Sequence, residues 1–301
     1  MATYRGRFAP SPTGPLHFGS IVAAVGSFLE ARTRGGEWLV RMEDLDPPRV
    51  VAGAADDILR TLEACGFAWN GPVLYQSTRG DAYQAALGRL REKDLVYPCA
   101  CSRREIADSA VAGIDGPVYP GTCRAGISPG KTERSLRVDT RGARSAFDDA
   151  LQGPVAHDLG KDFGDFVLYR ADDAYAYQLA VVVDDADQGV TDIVRGADLL
   201  ASTPRQLYLQ QLLGLPRPRY AHLPVAVNAD GEKLSKQTFA APVDATHPQP
   251  ALTAALEFLG QHPPRELARA TVGELWNWAI RDWRPDRIPR ASTLPAPVTG
   301  R

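Results

Sequence analysis

The stretch RFAPSPTGPLHFGS, residues 7–20, decides how the chain folds. Tyr4 to Phe8 read as a strand leading into it. Beyond Gly19, Ile21, Val22, Val25, Phe28 and Leu29 recur at helical spacing until Arg34-Gly35-Gly36 ends the pattern. Between strand and helix, Pro10, Pro12, Gly14 and Pro15 force a loop. Such a loop delivers backbone N–H groups and the positive end of a helix dipole to one point, where an anion binds. His17 stands at the helix start, where an imidazole can hydrogen-bond a phosphate oxygen, and Gly14 and Gly19 allow the backbone to approach a bulky ligand. On this stretch alone, a proline-rich connection with an incidental histidine remains open.

Outward from it, Trp38 to Met42 reads as a buried strand, and helices follow around Ala52–Cys65 and Asp81–Lys93. That order predicts an α/β fold, a Rossmann-type doubly wound parallel sheet with ligands at the carboxyl ends of its strands. From Tyr97 to Gly153 the texture changes to cysteines, glycines, prolines and short polar runs, which predicts an insertion. Apolar runs at Phe166–Tyr169, Leu179–Val183 and Leu223–Val227 are expected to complete the sheet. The expected division is therefore a first sheet half over 1–96, an insertion over 97–153, a second half over 154–242, and a helical C-terminal subdomain over 243–301. Its end, RIPRASTLPAPVTGR, reads as a flexible tail.

The 301 residues carry 44% hydrophobic and 23% charged side chains and a net charge of −2. This is the composition of an ordinary globular protein, and it argues against indiscriminate coating of nucleic acid. Met1 to Gly6 holds no apolar signal core, and no run of about 18 apolar residues occurs, so no membrane association is expected. Four cysteines point to a reducing compartment, the cytoplasm, rather than to a disulfide scaffold. Seven arginines among residues 261–301 lie near Trp276, Trp278 and Trp283, a mixture that suits RNA, although Trp276 reads better as core.

A second stretch is NADGEKLSKQ, residues 228–237. Lys233 and Lys236 are two of only five lysines, in a chain that otherwise uses arginine. Compact, mobile ammonium groups suit a polyphosphate whose charge shifts during reaction. In the insertion, Cys99, Cys101 and Cys123 are spaced as zinc ligands are, but a fourth ligand is missing; three free buried thiols remain the alternative. Cys65, on an apolar helix face, reads as core.

PSPTGPLHFGS followed far downstream by KLSKQ resembles the paired signatures of class I aminoacyl-tRNA synthetases. The opening RFAPSPTG narrows the resemblance to glutamyl-tRNA synthetases and their relatives. It continues in order through VRMEDLDPPR, YAYQLAVVVDDADQGVTDIVRGADLL and TPRQLYLQQLLG. Ser20 replaces the second histidine of the first signature, and Gln237 ends the second. Residues 238–301 leave no room for the family's long anticodon-binding region, so the chain resembles its truncated, queuosine-modifying paralogues.

The resemblance implies a monomeric enzyme that activates L-glutamate with ATP and Mg²⁺, without tRNA. It then esterifies queuosine at the wobble position of tRNA(Asp). It assigns Arg7 to the side-chain carboxylate of glutamate and Glu43 to its ammonium group, with Phe8, Ala9, Pro10, Ser11, Tyr177 and Arg195 completing the amino-acid pocket. It assigns His17, Gly19, Ser20 and Lys236 to ATP, and His17, Lys233 and Lys236 to stabilising the reacting phosphorus. It adds Tyr119 to the three cysteines as the fourth ligand of one structural zinc ion. A minimal synthetase charging the 3′ end of tRNA(Glu), or a silent tRNA-binding relic, are the competing readings.

Overall fold

A computed structural model describes residues 3–109, 111–228, 231 and 242–297. The opening stretch folds as strand, loop and helix: β1 is Arg5–Phe8 and α1 is Phe18–Arg32. Gly14 turns the loop at φ +133°, a region that side chains avoid. Helix α1 is apolar on nearly every side because it lies between the sheet and a C-terminal helix. Then come β2 Glu37–Met42, α2 Ala54–Ala64, β3 Leu74–Tyr75 and α3 Gly80–Arg91.

The middle of the chain contains β4 Val96–Cys99, α4 Arg103–Ser109, β5 Val111–Gly113, β6 Gly116–Val118 and β7 Ser135–Val138. It continues with β8 Arg144–Asp149, β9 Gly153–Asp158, α5 Leu159–Asp162 and β10 Val167–Tyr169. Next are α6 Tyr177–Asp187, β11 Asp192–Gly196, α7 Thr203–Leu213, β12 Arg219–Leu223 and β13 Val225–Val227. Helices α8 Gln249–Phe258 and α9 Val272–Asp282 and strand β14 Thr293–Pro295 end the described chain.

Strands β1, β2 and β3 pair in parallel, as do β11 and β12. The Thr191 N–H donates to the Arg5 carbonyl at 2.9 Å and sets β11 against the open edge of β1. The spatial order is therefore β3-β2-β1-β11-β12. The chain's direction of winding reverses between β1 and β11, and such a switch point opens a crevice at the carboxyl ends of the strands. Strand β7 lies between β4 and β10 in a separate antiparallel sheet.

One core, on the α1 side, is built on Trp38, which is fully buried and flanked by Phe8, Phe28 and Phe67. Trp276 of α9 joins this cluster and donates its indole N–H to the Cys65 carbonyl at 2.8 Å, and Cys65 is itself fully buried. Trp283 donates to Glu30 Oε1 at 2.8 Å. Burying rings of this size stabilises the fold by about 2–3 kcal/mol each, and it withdraws both tryptophans from any stacking role. A second core lies under α3, α6 and α7.

Four local expectations change. Phe166–Tyr169 supplies strand β10, but β10 pairs with β7 in the antiparallel sheet and does not complete the parallel one. Leu179–Val183 is the centre of helix α6, because its β-branched residues are buried on several sides between other helices, a setting in which a short apolar run does not distinguish strand from helix. The tail is not frayed through residue 297. Thr293–Pro295 pairs in parallel with β13, and the Ala296 N–H donates to the Val227 carbonyl at 2.8 Å. The hairpin β8–β9 runs across residue 153, where the sequence texture changes back. Among the described residues no helix is long and apolar enough to cross a membrane.

Candidate active site

A cavity of about 880 Å³ opens at the carboxyl ends of β1, β2, β11 and β12. Arg7 and Phe8 end β1, and Ala9, Pro10 and Ser11 carry the backbone on along the cavity wall. His17 is the N-cap residue of α1, extended at φ −122°, ψ 176°, and Gly19 and Ser20 of the first turn also line the cavity. That first turn holds no acidic residue, so its N–H groups and dipole face the cavity without a competing carboxylate. Glu43 follows β2, Tyr177 begins α6, and Arg195 lies near the end of β11; all three line the same space.

Lys233 and Lys236 lie outside the described residues. Their flanks do not. Val225 and Ala226 of β13 line the cavity, and Pro242 forms an isolated bridge with His17. The Val243 N–H donates to the Leu16 carbonyl at 2.9 Å. The described flanks of that segment thus lie at the cavity wall and beside the N-cap of α1.

The charges are arranged around Asp185, which sequence reasoning missed. Arg7 meets it with Nε to Oδ1 at 3.1 Å and Nη2 to Oδ2 at 3.4 Å, and Arg41 Nη1 reaches Oδ1 at 2.8 Å. Burial pushes the Asp185 carboxyl up, but the two guanidinium groups more than reverse this and hold it below its ordinary range. Arg41 Nη2 lies 3.4 Å from Glu43 Oε1. Burial raises the Glu43 carboxyl against the pull of Arg41 and Arg7. Tyr177 is pushed up to about 12 by burial and by the Glu43 charge. The neighbouring Asp184 serves another set, accepting from Gln76 Nε2 at 2.8 Å, Arg79 Nε at 3.1 Å and the Tyr83 hydroxyl at 2.7 Å. Two acids inside the apolar run AVVVDDAD were the available signal, since such residues are rarely buried without cationic partners.

The forked pair expected of Arg7 is therefore made with Asp185, through its Nε–Nη2 edge. Among the described residues Nη1 of Arg7 has no protein partner. Arg7, Arg41 and Arg195 against Asp185 and Glu43 leave one positive charge in excess, which suits an anionic ligand.

Away from the cavity, the Sγ atoms of Cys99, Cys101 and Cys123 all lie within 4.8 Å of one another. The Tyr119 hydroxyl is 3.4 Å from Cys99 Sγ and 3.6 Å from Cys101 Sγ, and it accepts from the Cys123 N–H at 2.9 Å. Arg137 donates from Nε to Cys99 Sγ at 3.4 Å, and its guanidinium lies 4.1 Å above the Tyr119 ring. Burial pushes the Cys99 thiol up, but its hydrogen bonds with Tyr119 and Arg137 bring it down to about 7. A thiol near this value gives thiolate readily, and three soft donors at such separations could hold a metal ion.

The fold is that of a class I synthetase: the family of class I tRNA synthetases (E and Q), catalytic domain, matches residues 3–249. A glutamate-tRNA synthetase structure from Elizabethkingia anophelis superposes with a TM-score of 0.78 at 23% identity, covering 98% of this chain and 68% of that one. The glutamyl-Q tRNA(Asp) synthetase of Dechloromonas aromatica (strain RCB) is 61% identical over 297 residues, 98% of this chain and 99% of its own. That of Aromatoleum aromaticum (strain DSM 19018 / LMG 30748 / EbN1) is 60% identical over 294 residues, 98% of this chain and 93% of its own. The chain belongs to the glutamyl-Q tRNA(Asp) synthetase family.

Proposed function

We propose that the cavity activates L-glutamate with ATP and that the product is transferred to queuosine in tRNA(Asp). The observation that carries this is the charge pattern: a helix N-terminus suited to phosphate faces a buried arginine set with one positive charge in excess. L-glutamate has one negative charge in excess. Arg7 offers Nη1 to the side-chain carboxylate while Asp185 fixes its other edge. Glu43 takes the ammonium group, and Ser11, Tyr177 and Arg195 complete the pocket over the Phe8-Ala9-Pro10 backbone.

An α-carboxylate oxygen of glutamate attacks the α-phosphorus of ATP, and pyrophosphate leaves with its Mg²⁺. His17, the first-turn N–H group at Gly19, the Ser20 side chain, and Lys233 and Lys236 stabilise the charge that develops on the phosphoryl oxygens. The work of the site is positioning and electrostatics, with no protein nucleophile. In the second step a ring hydroxyl oxygen of queuosine attacks the activated carbonyl carbon, AMP leaves, and the hydroxyl proton passes to the departing phosphate.

We further infer that the cysteine cluster binds zinc, with Tyr119 as fourth ligand and Arg137 compensating the negative charge of the thiolates. None of its donors lines the cavity, so the metal would brace the β4–β7 region and take no part in the chemistry. Reduced thiols and these substrates fit a cytoplasmic enzyme.

Glutamate-dependent ATP–pyrophosphate exchange by the purified chain, with no tRNA added, tests the activation step. Exchange with glutamate and none with glutamine or aspartate is expected. Exchange that appears only when tRNA is supplied would contradict it.

A further inference from the structure

Arg195 is held from two sides. Its Nη2 donates to Thr203 Oγ1 and to Gln206 Oε1, each at 2.8 Å, and its Nε lies 3.1 Å from His222 Nε2. Arg195 and His222 stand directly opposite each other in the β11–β12 register. The other ring nitrogen, His222 Nδ1, lies 2.5 Å from Asp149 Oδ2, and both side chains are fully buried. Arg195 Nη1 is buried with no protein partner among the described residues, so one donor stays uncommitted on a side chain that lines the cavity.

The proton on His222 is placed by its neighbours, with the Thr203 hydroxyl also 3.2 Å from Nε2 and able to donate there or to the Leu199 carbonyl at 3.4 Å. Asp149 Oδ1 already accepts the backbone N–H groups of Leu151 at 3.0 Å, Gln152 at 2.9 Å and His222 at 3.1 Å. Oδ2 is left for His222 Nδ1–H. With its proton on Nδ1, the ring presents a lone pair at Nε2, and this accepts the Arg195 Nε–H. The reverse tautomer would set its N–H against that of Arg195 and leave only the Thr203 hydroxyl, already an acceptor for Arg195 Nη2, to receive it. Burial lowers the His222 pKa and Arg195 lowers it further against the opposing pull of Asp149, which favours the neutral ring that this arrangement needs.

We propose that Asp149 and His222 form a tautomer-fixing relay that positions the Arg195 guanidinium for the carboxylate of the amino-acid substrate. This rests on the reading of Arg195 as part of the glutamate pocket. Asp149 and His222 are positioning residues, since neither lines the cavity. Hairpin β8–β9 would then serve the site, because its turn holds Asp149 against β12.

Asp149→Asn is the informative substitution. The three backbone donors oblige the amide oxygen to stay at the Oδ1 position, so the NH₂ group faces His222 Nδ1. The ring must then accept there and carry its proton on Nε2, opposing Arg195. The side chain keeps its size, and only the direction of the hydrogen-bond chain reverses.

The experiment combines ¹⁵N NMR of histidine-labelled full-length protein, which has five histidines, with steady-state pyrophosphate exchange. Asp149→Asn is expected to move the His222 proton from Nδ1 to Nε2. It should raise KM for glutamate by about 10- to 100-fold, the cost of one hydrogen bond to a charged group, with KM for ATP unchanged. Arg195→Ala is measured beside it. If Arg195→Ala raises KM for glutamate and Asp149→Asn does not, the relay is overturned while the pocket reading stands. If Arg195→Ala leaves KM unchanged, both fail. An unmoved proton in Asp149→Asn also overturns the relay. Should that variant not fold, His222→Gln, which keeps an acceptor near Nε2, should lie nearer the wild-type KM than His222→Leu. Equal KM values in those two variants would overturn the proposal.

Discussion

Asp185 grips Arg7 at two points, 3.1 Å and 3.4 Å, and shares the nearer oxygen with Arg41 at 2.8 Å. One buried carboxylate thus sets the direction of two buried guanidinium groups, of which Arg7 lines the cavity. A pair of this kind contributes little net stability compared with an apolar core, but removing one partner leaves charge buried without compensation.

Asp185→Asn should therefore cost about 3–5 kcal/mol of unfolding free energy and raise KM for glutamate, since Arg7 and Arg41 lose their shared anchor. Denaturant unfolding and exchange kinetics check the two halves. A change of less than about 1 kcal/mol would show that Glu43 alone balances the arginines.

Lys236→Ala should retain glutamate binding and lose adenylate formation by about 100- to 1,000-fold, because an ammonium group aimed at the developing phosphoryl charge acts mainly in the transition state. Calorimetric binding of glutamate and pyrophosphate exchange separate the two effects. Unchanged exchange would remove the lysine from the chemistry.

The cysteine cluster should hold about one zinc ion per chain in tetrahedral geometry. Cys101→Ser should lower zinc content and melting temperature while pyrophosphate exchange survives, because the site stands apart from the cavity. Elemental analysis and thermal melts of variant and chelator-treated protein provide the check. A reduced, folded preparation with no zinc and an unaltered melting temperature would make the three thiols ordinary core residues.

His222 also predicts a pH dependence of stability. Folded, its pKa lies below the ordinary 6.5, first through burial and then through Arg195. Below pH 6.5 the unfolded chain therefore binds more protons at this residue than the folded chain does, and stability falls as the pH is lowered from there. Wild type should lose stability relative to His222→Gln between about pH 6.5 and pH 5. A pH-independent difference between the two would contradict it.

Much of this was legible in the sequence where local chemistry decides the structure. The prolines and glycines of residues 7–20 admit few conformations, and the helix that follows them is long and apolar, so the strand, loop and helix start could be read directly. The cysteines announced themselves by spacing. The partners of the pocket arginines did not. Asp185 lies in the run AVVVDDAD, and nothing in its neighbourhood tells which distant arginine it meets. Asp149 and His222 come together only because hairpin β8–β9 packs on β12. The same limit misassigned Leu179–Val183, whose β-branched residues suit a buried helix as well as a strand. Thr293–Pro295 is a strand only because β13 offers it an edge.

The most direct measurement is the position of the glutamyl group on the RNA. The chain is incubated with ATP, labelled glutamate and tRNA(Asp) that either contains or lacks queuosine, and the RNA is cut to separate the anticodon arm from the 3′ end. The label should appear on the anticodon fragment, only in queuosine-containing tRNA, and should survive removal of the terminal adenosine. Label on the 3′ adenosine, or equal labelling of tRNA without queuosine, would contradict the account.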